Sequence, residues 1–231
     1  MSGHRVITID FTGTETESGK IFDTTNEAIA KQNGIYREGG IYRPVATIIG
    51  KGDVLHGMDE ALKGMKKGES KTITLAPEKA FGERRKELVV VIPIKEFQKR
   101  KLQPFPGLIV DLNGQYGRVQ TVSGGRVRVD LNNDLAGKTV KYDLKIVDEY
   151  TKADEKAGVL VEKFFPLKEA TPKSKFSDGI LTIELPKEIG ENLKPLIAQF
   201  TKMIKEIIPE INKIDVVDSK EKKAKAPEKK E

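Results

Sequence analysis

Apolar residues along the chain recur at two periods, and the switches between a period of two and a period of three to four divide it into segments. Residues Val6 to Phe11 alternate as a strand, and TGTETESGKIFD is a polar turn centred on Ser18-Gly19 that returns into Ile21 and Phe22, an antiparallel hairpin pattern. Thr24 to Arg43 is irregular and ends in NGIYREGGIY, and Val45 to Ile49 predicts a further short strand. In GDVLHGMDEALKGMKKGE, Val54, Leu55, Met58, Leu62 and Met65 recur at helical spacing, so one face of a short helix is apolar. Gly52 and Gly57 interrupt its start, where alanine would favour a helix by up to about 1 kcal/mol per site; tight turns or close backbone approach account for them. SKTITLAPEKAFG then predicts a strand with Thr72 and Thr74 on one face and Ile73 and Leu75 on the other.

From Glu83 the pattern changes. ERRKELVVVIPIKEF and QKRKLQPFPG bring a basic stretch and prolines, a poor continuation of a sheet and a good boundary. GLIVDLNGQYGRVQTVSGGRVRVDLNN predicts three short strands separated by the hairpin dipeptides Asn113-Gly114 and Gly124-Gly125, a small all-β unit. Lys138 to Tyr150 is again a long alternating strand, with Val140, Tyr142, Leu144 and Ile146 on one face.

The last segment is organised differently. KAGVLVEKFFP and ILTIELP read as strands, PKEIGENLKPLIAQFTKMIKEIIPEI as a helix and KIDVVD as a final strand. Leu193, Leu196, Ile197, Phe200, Met203, Ile204, Ile207 and Ile208 form a broad stripe at i, i+3, i+4, i+7 spacing. Spacing leaves two uses open for it: the core of its own domain, or a homodimer or client-binding surface. The tail SKEKKAKAPEKKE has no large apolar residue and is expected to be disordered.

Composition narrows the chemistry. A 37% hydrophobic chain of 231 residues can bury a real core, in one large domain or two to three small ones. Its 41 Lys+Arg against 35 Asp+Glu give a net charge of +6 that is spread along the chain, whereas a dedicated nucleic-acid binder concentrates its charge. With no cysteine, disulfides, thiolate catalysis and sulfur-ligated zinc are excluded. MSGHRVITIDFTG has no apolar leader core, and no apolar run approaches about 18 residues, so the expectation is a soluble, cytoplasmic protein without a membrane partner. Abundant Lys and Glu with neither Cys nor Trp lean towards a thermophilic source. His4 and His56 stand apart from each other, which leaves almost no material for a metal site or a Ser-His triad. Gly52 to Gly57 has phosphate-loop spacing, but Met58-Asp59 follows where Lys and Ser or Thr are required.

What remains is apolar: Phe11, Phe22, Val54, Leu55, Met58, Phe81 and Tyr142, with Asp23 directly after Phe22. In order and spacing, DFTG, GKIFD, GDVLHGMDEALKGMKKGESKTITLAPEKAFG and LAGKTVKYDLKIV resemble the FKBP family of peptidyl-prolyl isomerases. The stretch between AFG and LAG is similar to the insert-in-flap chaperone domain of the long, SlyD-like branch, and the whole chain is most similar to the long archaeal type with a further C-terminal domain. The resemblance implies an α+β protein in which an antiparallel sheet wraps a short helix. Its isomerase domain would comprise residues 1–84 and 132–152, its small all-β insert 85–131, its C-terminal α+β domain 153–217 and its tail 218–231. Catalytic roles fall on Asp23, Phe81 and Tyr142, and substrate contacts on Phe11, Phe22, Val45, Val54, Leu55, Met58 and Leu135. The implied partners are unfolded or partly folded proline-containing polypeptides, with a homodimer through the C-terminal domain and no metal or cofactor.

Departures from the family pattern matter too. Phe11 and Phe81 stand where the best-known members commonly have tyrosine, and Met58 stands where single-domain members have tryptophan, so activity or macrolide sensitivity is expected to be lower. Asn132 to Asp134 lack the histidine found before LAG in the SlyD-like branch, so nickel binding does not carry over. Two other classes stay open from the residues themselves. One is a holdase without much isomerase activity. The other is a nucleic-acid surface made by Arg84, Arg85, Lys86, Lys99, Arg100, Lys101, Arg118, Arg126 and Arg128 with Tyr116.

Overall fold

The structure, a computed structural model, describes residues 4–166, 172–185 and 194–218. In chain order the elements begin with strands β1 (Val6–Glu15) and β2 (Ile21–Thr24), helix α1 (Glu27–Gln32), β3 (Val45–Ile48), α2 (His56–Lys63) and β4 (Ser70–Leu75). They continue with β5 (Val89–Pro93), α3 (Ile94–Lys99), β6 (Ile109–Leu112), β7 (Gln115–Ser123) and β8 (Arg126–Asp130). The chain returns through β9 (Val140–Tyr150), α4 (Ala153–Phe164), β10 (Lys173–Ser177), β11 (Ile180–Leu185), α5 (Lys194–Ile207) and β12 (Lys213–Asp218). Two compact units result, one from Met1–Thr14, Ile21–Ile73 and Tyr142–Glu231, the other from Glu15–Lys20 and Thr74–Lys141.

The first unit is organised by a sheet in the order β2-β1-β9-β4, with β3 also paired to β1. The hairpin expected at Ser18-Gly19 joins β1 to β2, and Gly19 turns it at φ +69°. Val140, Tyr142, Leu144 and Ile146 of β9 are all buried on the expected face. β1 departs from simple alternation, because Val6, Ile7, Thr8 and Ile9 are all buried. The reason is tertiary: Val6 and Ile48 share a core with Leu160, Val161, Phe200 and Ile204, so both faces of β1 are covered. Each aliphatic side chain fully buried this way contributes roughly 1.5–3 kcal/mol.

Arg5 fastens α2 to this sheet. Its Nε and Nη2 each donate to a carboxylate oxygen of Glu149 at 2.8 Å. Its Nη1 and Nη2 also donate to the carbonyls of Leu62 at 2.8 Å and Met65 at 2.6 Å. One guanidinium therefore adds a charged donor to carbonyls at the end of the helix, where a cation is favoured by the helix dipole.

Two stretches depart from the sequence reading. KAGVLVEKFFP, read as a strand for its Val-Leu-Val run, is helical in α4, because Ala157, Leu160 and Val161 bury together at helical spacing. Asp154 and Glu155 in its first turn and Lys163 in its last complement the helix dipole. Within the irregular stretch, α1 forms because the Asn26 side chain accepts the Ile29 amide at 3.1 Å, a sequence-visible N-cap. The broad stripe of α5 is consumed internally: Phe200, Ile204, Ile207 and Ile208 are at most 1% exposed. Leu193 and the first part of that expected helix lie outside the described residues, as does the tail from residue 219. α5 packs with the sheet β10-β11-β12, whose β11–β12 pair is parallel.

In the second unit a four-stranded antiparallel sheet runs β5-β8-β7-β6. Asn113 and Gly114 turn one hairpin at φ 57° and 86°, and Gly124 and Gly125 the other at φ 56° and 72°. The sequence reading had strands alone here; α3 adds a helix whose Phe97 fills the core with Val110, Val119, Val127 and Val129. At the neck the backbone of Arg85 exchanges hydrogen bonds of 2.9 Å with the Asn132 side chain.

Candidate active site

The first unit gathers three rings on adjacent strands. Phe11 of β1 meets Tyr142 of β9 with centroids 6.0 Å apart, and Phe22 of β2 meets the same Tyr142 at 5.7 Å, both edge-on. Phe22 and Tyr142 come from strands on opposite sides of β1, and Gly13 of β1 is what lets them touch. A Cβ at Gly13 would stand 2.7 Å from Phe22 Cζ and 2.9 Å from Tyr142 Cε1, closer than real atoms approach. Threonine hydroxyls hold the strands in place. Phe11 donates its amide to Thr25 Oγ1 at 3.0 Å, and Thr12 Oγ1 pairs with Thr24 Oγ1 at 2.9 Å.

Asp23 supplies the local charge. It keeps access to solvent, yet crowding by protein raises its carboxyl above the usual range, against weaker opposing pulls from the Thr24 amide and Arg37. Burial drives the Tyr142 phenol far above its ordinary value, and the Asp23 charge adds to the shift. Tyr142 is therefore a neutral hydroxyl, able to donate a hydrogen bond but not to act as a base.

Val54, Leu55 and Met58 lie together where the chain enters α2. Gly52 turns at φ +74°, Val54 and Leu55 are half-buried, and Met58 is 3% exposed. Leu55 occupies the N-cap position and its carbonyl accepts the Asp59 amide at 3.0 Å, but no side chain caps the helix. Gly57 sits buried in the first turn. Val45 is placed elsewhere: 37% exposed at the start of β3, it lines a groove with Ile41, Val147 and Val159. Phe81 and Leu135 belong to the second unit, both half-buried, on segments joined by the Gly137 amide donating to the Gly82 carbonyl at 2.8 Å.

Sequence reasoning passed over Gly13, Thr24, Thr25 and Arg5. Only Gly13 carried a readable signal, a glycine inside a strand, which marks a bulge or close approach; the β1–β2 register does shift there. The others act through partners distant in sequence, such as Glu149 for Arg5.

Comparison with known proteins bears on the family. Residues 2–96 match the family described as FKBP-type peptidyl-prolyl cis-trans isomerase. The chain is 37% identical over 130 residues to a short-type peptidyl-prolyl cis-trans isomerase of Methanocaldococcus jannaschii, covering 56% of this chain and 83% of that one. The chain belongs to the FKBP-type peptidyl-prolyl cis-trans isomerases. Its sheet and α2 form the FKBP-like part of an α+β fold. The FKBP-type isomerase SlyD of Aeromonas hydrophila is 28% identical over 145 residues, covering 62% of this chain and 61% of that one. Residues 90–135, within the β5–β8 unit, match the family described as FKBP26, IF domain. A crystal structure of the three FKBP domains of wheat FKBP73 aligns with TM-score 0.33 and 18% identity, over 65% of this chain and 40% of that one.

Proposed function

We propose that the protein accelerates cis/trans isomerisation of X-Pro bonds in folding polypeptides, and that the β5–β8 unit holds those polypeptides as a chaperone insert. The observation that carries the first part is the edge-on aromatic wall of Phe11, Phe22 and Tyr142 beside Asp23, in a chain of this family. Rotation about a peptide bond meets a barrier of about 18–20 kcal/mol because the planar amide is stabilised by resonance. The twisted amide has less charge separation, so a dry apolar wall disfavours the planar state relative to it. Tyr142, kept protonated, offers a hydrogen bond to the substrate carbonyl, and Asp23 supplies a fixed charge near it. Val54, Leu55 and Met58 at the start of α2 are the further substrate contacts proposed within the first unit. No proton transfer or covalent intermediate is needed, and each 1.36 kcal/mol removed from the barrier gives about tenfold in rate. Proline is the fitting substrate because X-Pro bonds populate both isomers and exchange slowly.

Exposed apolar surface supports the chaperone role. In the second unit Val91 is 59% exposed, Phe105 58%, Ile109 49% and Tyr116 71%. Val91 and Ile109 lie on β5 and β6, the two outer strands of the sheet, whose free edges suit extended chains. A cavity of about 230 Å³, lined by Phe97, Leu102 and Val110 and also by Glu96, Arg100 and Asp111, offers room for a client side chain. Three of the nine cations of the nucleic-acid alternative are paired, Arg84 with Asp130, Arg118 with Asp134 and Lys99 with Glu96, which lowers the charge that this surface presents. A homodimer through the C-terminal domain would use strand positions such as Ile180 and Val216, each 38% exposed, because the α5 stripe is covered. A sedimenting monomer at high micromolar concentration would remove the dimer.

The deciding experiment compares the intact chain with one in which residues 84–131 are replaced by a short loop, on a short X-Pro peptide and on a protein whose refolding is limited by proline. Both substrates are accelerated by the intact chain, and deletion costs the refolding substrate far more. Absence of acceleration on either substrate overturns the isomerase reading.

A further inference from the structure

β3 ends at Ile48, and the chain reaches Val54 and Leu55 through a short loop that turns at Gly50, φ +83°, and Gly52, φ +74°. Two carboxylates stitch the loop from its own side. Asp53 Oδ2 accepts the Ile48 amide at 2.8 Å, and Asp59, 6% exposed on α2, accepts the Gly50 amide at 2.7 Å. Two further charges reach it from the C-terminal segment. Lys163 of α4 pairs with Asp53, and Glu206 of α5 pairs with Lys51. The partners are 110 and 155 positions apart in sequence, come from different helices and have opposite polarity. Ile48, at the root of the loop, is itself 1% exposed in the core formed with α4 and α5.

One contact of this kind is ordinary surface chemistry, and a single exposed pair adds little to stability. Here two complementary pairs and one buried side chain converge on a single short loop. Both glycines use left-handed backbone conformations, and their conformational freedom leaves such a loop soft without these contacts. We propose that Lys163 and Glu206 are positioning residues for isomerisation: the C-terminal segment grips Lys51 and Asp53 and thereby sets the backbone that presents Val54 and Leu55 to the substrate. This rests on the reading that Val54 and Leu55 touch the proline. Contacts of that sort act alike on the ground and transition states, so loosening them raises KM and leaves kcat nearly unchanged.

The test uses the full chain with Lys163→Met, Glu206→Lys, Lys51→Glu and the double variant Lys51→Glu/Glu206→Lys. Asp53 is left intact because it also accepts the Ile48 amide. Each single variant is expected to raise KM for a short X-Pro peptide roughly fivefold with kcat within about twofold. The double variant, which restores a pair with reversed polarity, returns KM towards the parent. High salt narrows the gap between parent and single variants, because partly exposed pairs are screened. A structural role alone would lower the melting temperature and leave KM in place; unchanged KM in all single variants therefore overturns the proposal. If the parent chain shows no isomerisation, the functional reading fails separately. The grip is then decided by backbone amide chemical shifts of Gly52 to Leu55: displacement in the single variants and return in the double supports it, and no displacement overturns it.

Discussion

Tyr142 of the first unit is 4% exposed and Tyr116 of the second is 71% exposed, although each stands on a strand. Tyr142 is locked edge-on between Phe11 and Phe22, with its hydroxyl held neutral by burial. Tyr116 lies opposite Asp111 in the β6–β7 hairpin, and Ile109 of the same hairpin is also open to solvent. The first arrangement is shaped, and its ring edges admit one geometry. The second offers exposed area and outer strand edges, which suit a partner whose sequence varies. A tyrosine stands in each, and what separates the two is that neighbouring rings cover Tyr142.

The largest expected effect comes from removing the centre of the shaped region. Tyr142→Ala loses both ring contacts and the hydroxyl, and kcat/KM for a short X-Pro peptide should fall about 100-fold, equivalent to about 2.7 kcal/mol. A loss no greater than that caused by Tyr116→Ala would erase the distinction between the regions. Arg5→Met tests the frame of the shaped region: with the Glu149 pair and the α2 carbonyl contacts gone, stability should drop by about 2 kcal/mol, read as urea midpoint at constant slope. Gly13→Ala pushes Phe22 and Tyr142 apart, and about a tenfold loss of kcat/KM is expected, measured alongside a melting curve. Ile109→Glu combined with Val91→Glu sharpens the other side. It should slow assisted refolding several-fold more than peptide isomerisation, and equal losses would remove the holding role from those strands.

The smallest effect is in pH. Arg5 holds the Glu149 carboxyl below its usual range, mainly through the hydrogen-bonded pair. A lowered folded-state value means the stabilisation is complete above the unfolded carboxylate value and is lost as pH falls through the folded one. Asp23 has the opposite sign: its raised value gives a contribution present at low pH and lost as pH rises through the folded value. Melting temperatures from pH 7 to pH 3 should therefore fall less for Arg5→Met than for the parent, and Asp23→Asn should make the parent's acid loss slightly steeper.

Much of this was legible from local pattern. Alternation marked β9, the Ser18-Gly19 turn marked the first hairpin, and Asn113-Gly114 and Gly124-Gly125 marked the hairpins of the second unit, because turn chemistry and period act over a few residues. α4 was misread because its Val-Leu-Val run suits a strand until Ala157, Leu160 and Val161 find a common core. Phe11, Phe22, Asp23 and Tyr142 were named from motif order, but nothing local announced that Gly13 lets two of the rings meet.

The sequence by itself determined the strand and turn periods, the absence of thiol chemistry and the family, since each is a property of residue types at fixed spacing. Only the tertiary structure decided that both faces of β1 are covered, that Arg5 holds the end of α2, and that Lys163 and Glu206 reach the loop before Leu55. These contacts join residues more than fifty positions apart, and at such separations a charge or a methyl group has many candidate partners; packing selects one among them.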